Sequence, residues 1–398
     1  MVDENSSRKT AFKFIILLGI VSLLADMTYE GARSITGPYL ALLGASGTVV
    51  GIVAGFGELL GYALRLVSGY ISDKTGRYWL MTIVGYAVNL LAVPLLALSG
   101  RWEIAAALII SERIGKAIRT PSRDAMLSHA TKEIGRGWGF GLHEAMDQIG
   151  AMLGPLIVAV VLFLKGGYKA SFGLLLIPAL LALSVLLVTR YLYPRPKDLE
   201  KTAVALEAKG FPRVFWIYLV AVALVAAGYV DFPLIAYHFK KASVASDNWI
   251  PIFYAIAMGV DALAALLFGR LFDRKGVSIL IFAVLASSLF APLVFLGSFY
   301  SALFGIALWG IGMGAQESIM RAAIANMVSV NKRGSAYGVF NAGYGLFWFF
   351  GSAVMGIFYD ISIPVLIIFS VITQLTAIPF FMLVKKEVNL ERSVHVRD

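Results

Sequence analysis

Asp26, Glu30 and Arg33 stand at i, i+4 and i+7 of one apolar run, and Glu112, Lys116 and Arg119 repeat that spacing in another, with Arg113 beside them. On a helix each set shares one face. Acids and bases so placed can hold a charged solute or carry a proton. Burial favours the neutral carboxyl, whereas a nearby arginine favours the carboxylate, so a solute that displaced the arginine would trigger protonation. The same groups could instead be static ion pairs that brace helices. His143, Glu144 and Asp147 form a third set, with His143 and Asp147 one turn apart. Histidine titrates near neutrality unless shifted, so this pair reads either as a proton-handling site or as a hydrogen-bonded packing group. One histidine with carboxylates offers too few soft ligands for a dedicated site, and no metal is expected. Tyr229, Asp231, Gln316 and Glu317, together with Trp309, suggest an amphipathic cavity, although aromatic residues also commonly pack helices.

The elements that carry these residues follow from composition. Of 398 residues, 59% are hydrophobic and only 15% are charged. A soluble domain is about 45–50% apolar and about 25% charged. Both departures point to a polytopic membrane protein. With 0 cysteines, disulfides, thiolate metal sites and cysteine nucleophiles are excluded. The net charge of +10 would suggest nucleic acid in a soluble protein; here it reads as loop charge on one face of a bilayer, and no nucleic-acid partner is expected. Ionisable groups at bilayer depth are costly and mark pathways or relays.

Long continuous apolar runs read as helices rather than barrel strands. They place twelve spans near 12–36, 46–70, 79–99, 102–124, 137–163, 170–192, 212–237, 248–270, 277–297, 299–328, 335–359 and 362–384. Lys74, Arg77, Lys132, Arg136, Arg274, Lys275, Lys332 and Arg333 fall in alternate connections, with five more basic residues between 195 and 213. The positive-inside rule then puts both termini in the cytoplasm. The polar segment 194–211 separates an N-terminal six-helix bundle, 1–193, from a C-terminal one, 212–398.

The halves are copies. Gly69, Asp73 and Gly76 recur as Gly269, Asp273 and Gly276 after 200 positions; Arg123 recurs as Arg321 after 198; Arg136-Gly137 recurs as Arg333-Gly334 after 197. Such spacing indicates a duplicated six-span unit with a pseudo-two-fold axis along the membrane normal. Residues shared by both copies read as scaffold. Asp26, Glu30 and Arg33 become Ala226, Val230 and Pro233; Glu112, Lys116 and Arg119 become Gly310, Gly314 and Glu317; His143, Glu144 and Asp147 become Phe340, Asn341 and Tyr344. The repeat does not require those charges, which makes them functional candidates.

The run Gly69-Tyr-Ile-Ser-Asp73-Lys-Thr-Gly76-Arg77 resembles the loop motif of the major facilitator superfamily. Twelve spans, a central loop and a second motif copy extend the resemblance over essentially the whole chain. Gly150-x-x-x-Gly154-Pro155 resembles the antiporter signature of that superfamily's proton-coupled drug and metabolite exchangers, although Leu156 and Ile157 follow where a glycine pair is usual. The resemblance implies an all-α fold of two pseudo-symmetric bundles, with spans one, four, seven and ten around a central cavity. It implies a monomer in the cell (plasma or inner) membrane that moves a small amphipathic or charged solute by alternating access, with protons as the second partner and no cofactor. Proton-coupled export is the leading expectation and uptake by symport the alternative; a receptor or sensor on the same fold is the reading from another class. The resemblance further implies a cytoplasmic latch built on Asp73, with Arg77, Arg123 or Arg136 as partners. The Gly150/Gly154 face is expected to pack against span eight, near Asp261. No G-x-x-x-x-G-K-[ST], H-E-x-x-H or G-x-S-x-G pattern is found, so neither ATP drive nor an enzyme is expected.

Overall fold

A computed structural model describes residues 4–134, 136–194, 210–328 and 332–395. The regular elements among them are helices, as hydrocarbon demands of a chain that must satisfy its backbone within each span. Ten helical runs are long and apolar enough to cross a membrane. The other two expected spans are also helical but differ in kind. One is rich in charge, and the other is interrupted by a wider turn.

Two compact units are present. Among the described residues, one holds 4–44, 60–194 and 247–255, and the other holds 45–59, 210–246 and 256–395. The second and eighth spans therefore each contribute one end to the opposite unit. The expected linker lies mostly outside the described residues.

In the first unit, α1 (Glu4–Leu42) is followed by α2 (Gly47–Thr75), of which the part from Leu60 onward belongs here. Then come α3 (Tyr78–Leu95), α4 (Trp102–Ile134), α5 (Arg136–Phe163), α6 (Gly167–Leu174) and α7 (Leu176–Leu192). α1 packs chiefly against α5, and α3 against α4. Lipid tails are as apolar as leucine, so this association depends on close van der Waals fit. Gly150 and Gly154 supply it. A Cβ at Gly154 would lie 2.9 Å from the Gly31 nitrogen, and one at Gly150 would lie 3.1 Å from the Asp26 Cβ. The glycine face of span five thus packs on span one. Asp261, named with span eight in the expectation for that face, belongs to the other unit, where a Cβ at Gly314 would meet its carbonyl oxygen at 2.6 Å. Phe14, Leu18, Trp79, Tyr86, Met126 and Leu186 fill the apolar core toward one end of this unit.

The second unit contains α8 (Arg213–Gly228), α9 (Phe232–Lys241) and α10 (Trp249–Lys275), the last from Ile256 onward. It continues with α11 (Ser278–Ser288), α12 (Phe290–Phe295), α13 (Phe299–Gly314), a π-helical turn at Ala315–Ile319, α14 (Met320–Met327), α15 (Arg333–Ile361) and α16 (Ile363–His395). The seventh span is broken between α8 and α9. Its freed carbonyls find side-chain donors: Ser370 Oγ and Gln374 Nε2 donate to Gly228 O at 2.6 and 3.2 Å, and Trp309 Nε1 donates to Val230 O at 2.9 Å. Unsatisfied, each such group would cost several kcal/mol in hydrocarbon. The first turns of α2 pack here on α15. Asp360 accepts from the Gly47 and Thr48 amides at 2.9 and 2.7 Å and from Thr48 Oγ1 at 2.6 Å, capping α2 from a distant helix.

Candidate functional site

Within the first unit, the face shared by Asp26, Glu30 and Arg33 meets the face shared by Glu112, Lys116 and Arg119. All are buried or half-buried, Arg119 to 1% exposure. Arg33 Nη1 lies 3.9 Å from Glu30 Oε1, Arg113 Nε 3.3 Å from Glu112 Oε2, and Arg119 Nη2 4.0 Å from Asp26 Oδ1. The third pair is loose. Asp26 Oδ1 and the Nε and Nη1 of Arg119 have no hydrogen-bond partner among the described residues. A buried polar atom left so costs about 1–3 kcal/mol.

Four residues outside the sequence-derived set complete this cluster. Tyr29 accepts a hydrogen bond from Lys116 Nζ at 2.8 Å, and the ammonium also lies 4.0 Å from its ring centroid. Tyr86 offers its ring to Arg119 at 4.2 Å. Asn89 Nδ2 donates to Glu112 Oε1 at 2.6 Å, and Tyr254 OH donates to Glu30 Oε2 at 2.5 Å. Asn89 stands as an uncharged polar residue inside an apolar span, a signal that could have marked it. The tyrosines carry no such mark among 17 of their kind.

Further along α4, Arg123 Nη1 donates to Ser22 Oγ at 2.9 Å, and its Nη2 lies 2.8 Å from Asp124 Oδ1. Arg123 Nη1 also stands 3.9 Å from Asp147 Oδ2, and His143 Nε2 3.8 Å from Asp147 Oδ1. His143 is buried, with neither ring nitrogen hydrogen-bonded to a described residue, whereas Glu144 is exposed. Adjacent residues on a helix point apart, so the structure gathers His143 and Asp147 and leaves Glu144 out.

The loop motif gives a mixed result. Gly76 and Gly276 take φ of +68° and +56°, the left-handed region that glycine enters freely. Each amide caps the preceding helix, on Ser72 O at 2.7 Å and Phe272 O at 2.8 Å. Gly69 approaches Pro121 in ordinary contact, while a Cβ at Gly269 would meet open space. Asp73 is exposed and accepts from Tyr78 OH at 2.9 Å. Arg123, expected as its partner, is committed to Ser22, Asp124 and Asp147. Arg77 and Asp273 are exposed, and Arg333 Nε reaches Val328 O at 3.5 Å. The side chains of Arg136 and Arg321 lie outside the described residues.

In the second unit the expected cavity residues are largely packed. Tyr229 is fully buried, its hydroxyl on Trp309 O and its ring among Phe290, Trp309 and Trp348. Asp231 accepts from Trp348 Nε1 at 3.4 Å, and Gln316 accepts from Tyr344 OH at 3.0 Å. Gln316 and Glu317 occupy the π-helical turn; Gln316 is buried and Glu317 exposed. Such turns inside long helices frequently occur at functional sites.

A helical membrane protein whose spans bury opposed acids and bases, and whose seventh span is broken at mid-course, has the build of a solute transport protein. The profile of the Major Facilitator Superfamily matches residues 18–240 and 214–397, and the chain belongs to that family. It is a multi-pass membrane transport protein and not an enzyme. An uncharacterized protein of Mycobacterium tuberculosis is 42% identical over 376 residues, covering 93% of this chain and 92% of its own. An uncharacterized MFS-type transporter of Methanocaldococcus jannaschii is 26% identical over 373 residues, covering 90% and 92%. The nucleoside transporter NupG, solved in a mutant form, shares the fold with a TM-score of 0.76 at 15% identity, over 92% of this chain and 100% of that one. A peptide transporter POT, solved in a mutant form with sulfate, does so at 0.73 and 13%, over 97% and 98%.

Proposed function

We propose that the protein is a secondary active transporter that moves a small amphipathic or charged solute by alternating access, driven by the proton gradient in the direction of export. The observation that carries this reading is the Asp26–Arg119 pair. It is buried, separated by 4.0 Å, and short of hydrogen bonds on both sides. A proton on Asp26 releases Arg119, and a solute that engages Arg119 leaves Asp26 to take a proton. One event therefore favours the other, which couples solute to proton at this pair; the direction of export is supported by the partial signature Gly150-x-x-x-Gly154-Pro155 in the fifth span and by the acidic residues of the first and fourth. Asp73 and the two loop-motif copies form the cytoplasmic latch, with 1–193 and 212–398 as the moving bundles and 194–211 as their link. Both termini face the cytoplasm, the protein works as a monomer in the cell membrane, and no cofactor takes part.

Purified protein in liposomes, given an imposed pH gradient, tests the reading. Solute should move against its gradient when protons move down theirs, and Asp26→Asn should abolish this uphill movement while sparing exchange of solute for solute. Solute and protons moving the same way would establish symport instead. Solute binding without flux would make the protein a sensor. Full uphill transport in Asp26→Asn would remove the coupling role.

A further inference from the structure

The acids and bases where α1 meets α4 do not balance. Three carboxylates, Asp26, Glu30 and Glu112, face four cations, Arg33, Arg113, Lys116 and Arg119. Each carboxylate has its arginine, at 4.0, 3.9 and 3.3 Å respectively. Lys116 is the cation left over. Among the described residues no carboxylate lies within 4.0 Å of its ammonium, which instead donates to the Tyr29 hydroxyl and sits over the Tyr29 ring. The next acids, Asp124 and Asp147, are engaged with Arg123, roughly 10 Å further along α4 at about 1.5 Å per residue.

An ammonium in a membrane-embedded bundle calls for an anion. An ammonium has three donors, and one is spent on Tyr29. One turn away, Arg119 is 1% exposed, and two of its nitrogens, Nε and Nη1, have no acceptor among the described residues. Both cations lie over the same aromatic ring, Lys116 at 4.0 Å and Arg119 at 5.8 Å from the Tyr29 centroid. Spare donors and surplus positive charge therefore converge beside Tyr29. Lys116 is also half-buried rather than fully buried.

We infer that Lys116, with the Tyr29 hydroxyl and the free N–H groups of Arg119, receives an oxyanion group of the transported solute, a carboxylate or a phosphate. The inference rests on the transport reading and narrows it to anionic or zwitterionic cargo. It accounts for the position of the one cation of this cluster with no carboxylate within 4.0 Å among the described residues.

Thermal unfolding of the detergent-purified protein at constant ionic strength tests it. The probes are a series of monocarboxylates from acetate to octanoate, inorganic phosphate, tetraethylammonium as the cationic control, and phosphatidylglycerol against phosphatidylcholine as lipid controls. A carboxylate or phosphate should raise the melting temperature in a saturable manner while tetraethylammonium does not. Lys116→Gln should raise the half-saturating concentration at least about tenfold, as loss of a charge-assisted hydrogen bond requires, and Lys116→Arg should restore most of the shift. If Lys116→Gln does not fold, Tyr29→Phe supplies the same readout and should weaken the anion response while keeping the charge. No anion-dependent shift in the unaltered protein, an equal shift in Lys116→Gln, or a shift produced by phosphatidylglycerol alone would overturn the assignment. Uphill flux of a purely cationic solute would overturn the anion site but leave the transport reading intact. Anion-dependent stabilisation without flux would do the reverse.

Discussion

Tyr254 donates its phenolic proton to Glu30 across 2.5 Å, although 224 positions separate them. The donor comes from the first turns of α10, which belong to the first unit with α1. A charge on the first span is thus held by a helix whose remainder lies in the other unit.

Removing that donor should be felt. Tyr254→Phe keeps the ring and deletes one hydrogen bond to a buried carboxylate. The expected cost is about 1–3 kcal/mol, read as a lower melting temperature in detergent. Glu30→Gln retains an acceptor for the tyrosine and should cost less. Equal melting of Tyr254→Phe and the unaltered protein would show that the contact contributes nothing.

Asp26→Asn should separate coupling from movement. The side chain keeps its volume but can no longer be an anion beside Arg119. Solute counterflow in liposomes should survive within about threefold, while accumulation driven by a pH gradient should fall at least about tenfold, the loss expected when a differential interaction of roughly 1.4 kcal/mol disappears. Parallel loss of both activities would instead mark Asp26 as a bracing residue.

The seam between α1 and α5 should tolerate no side chain. Gly154→Val places carbon where the Gly31 nitrogen would stand 2.9 Å from the Cβ alone. Overpacking of this kind costs about 1–3 kcal/mol, and folded yield and melting temperature should both drop. Gly61→Ala, where a Cβ meets nothing within 4 Å, should leave both unchanged. A tolerant Gly154 would mean that α1 and α5 do not approach as closely as described.

Asp360 should control the first turn of α2. Asp360→Ala removes three hydrogen bonds to Gly47 and Thr48, and a lost helix cap costs about 0.5–2 kcal/mol. Hydrogen exchange at the Gly47 and Thr48 amides should quicken, while amides near the middle of α2 keep their protection. Unaltered exchange at those amides would show that the cap is not formed in solution.

Much of the site was legible in the sequence because a helix fixes which residues share a face. The spacing of Asp26, Glu30 and Arg33, and of Glu112, Lys116 and Arg119, leaves little freedom once the runs are helical, and both sets do meet in one unit. The left-handed turns at Gly76 and Gly276 were legible for a similar local reason, since glycine alone enters that region cheaply. The duplicated motif and the apolar runs likewise identified the family, because a bilayer admits few solutions for a chain of this composition.

Partner choice was not legible. Nothing in the spacing says that Asn89 and Tyr254 supply the donors for Glu112 and Glu30, that Arg123 turns to Ser22 and Asp124 rather than to Asp73, or that Gly150 and Gly154 seat α5 on α1. Those outcomes depend on the rotation and depth at which separate helices pack. Packing between helices in lipid is decided by steric fit and by which polar groups come within reach. Sequence periodicity thus determined the faces and the fold, while the tertiary structure alone decided which charges are matched and left Lys116, among the described residues of this cluster, as the cation with no carboxylate within 4.0 Å.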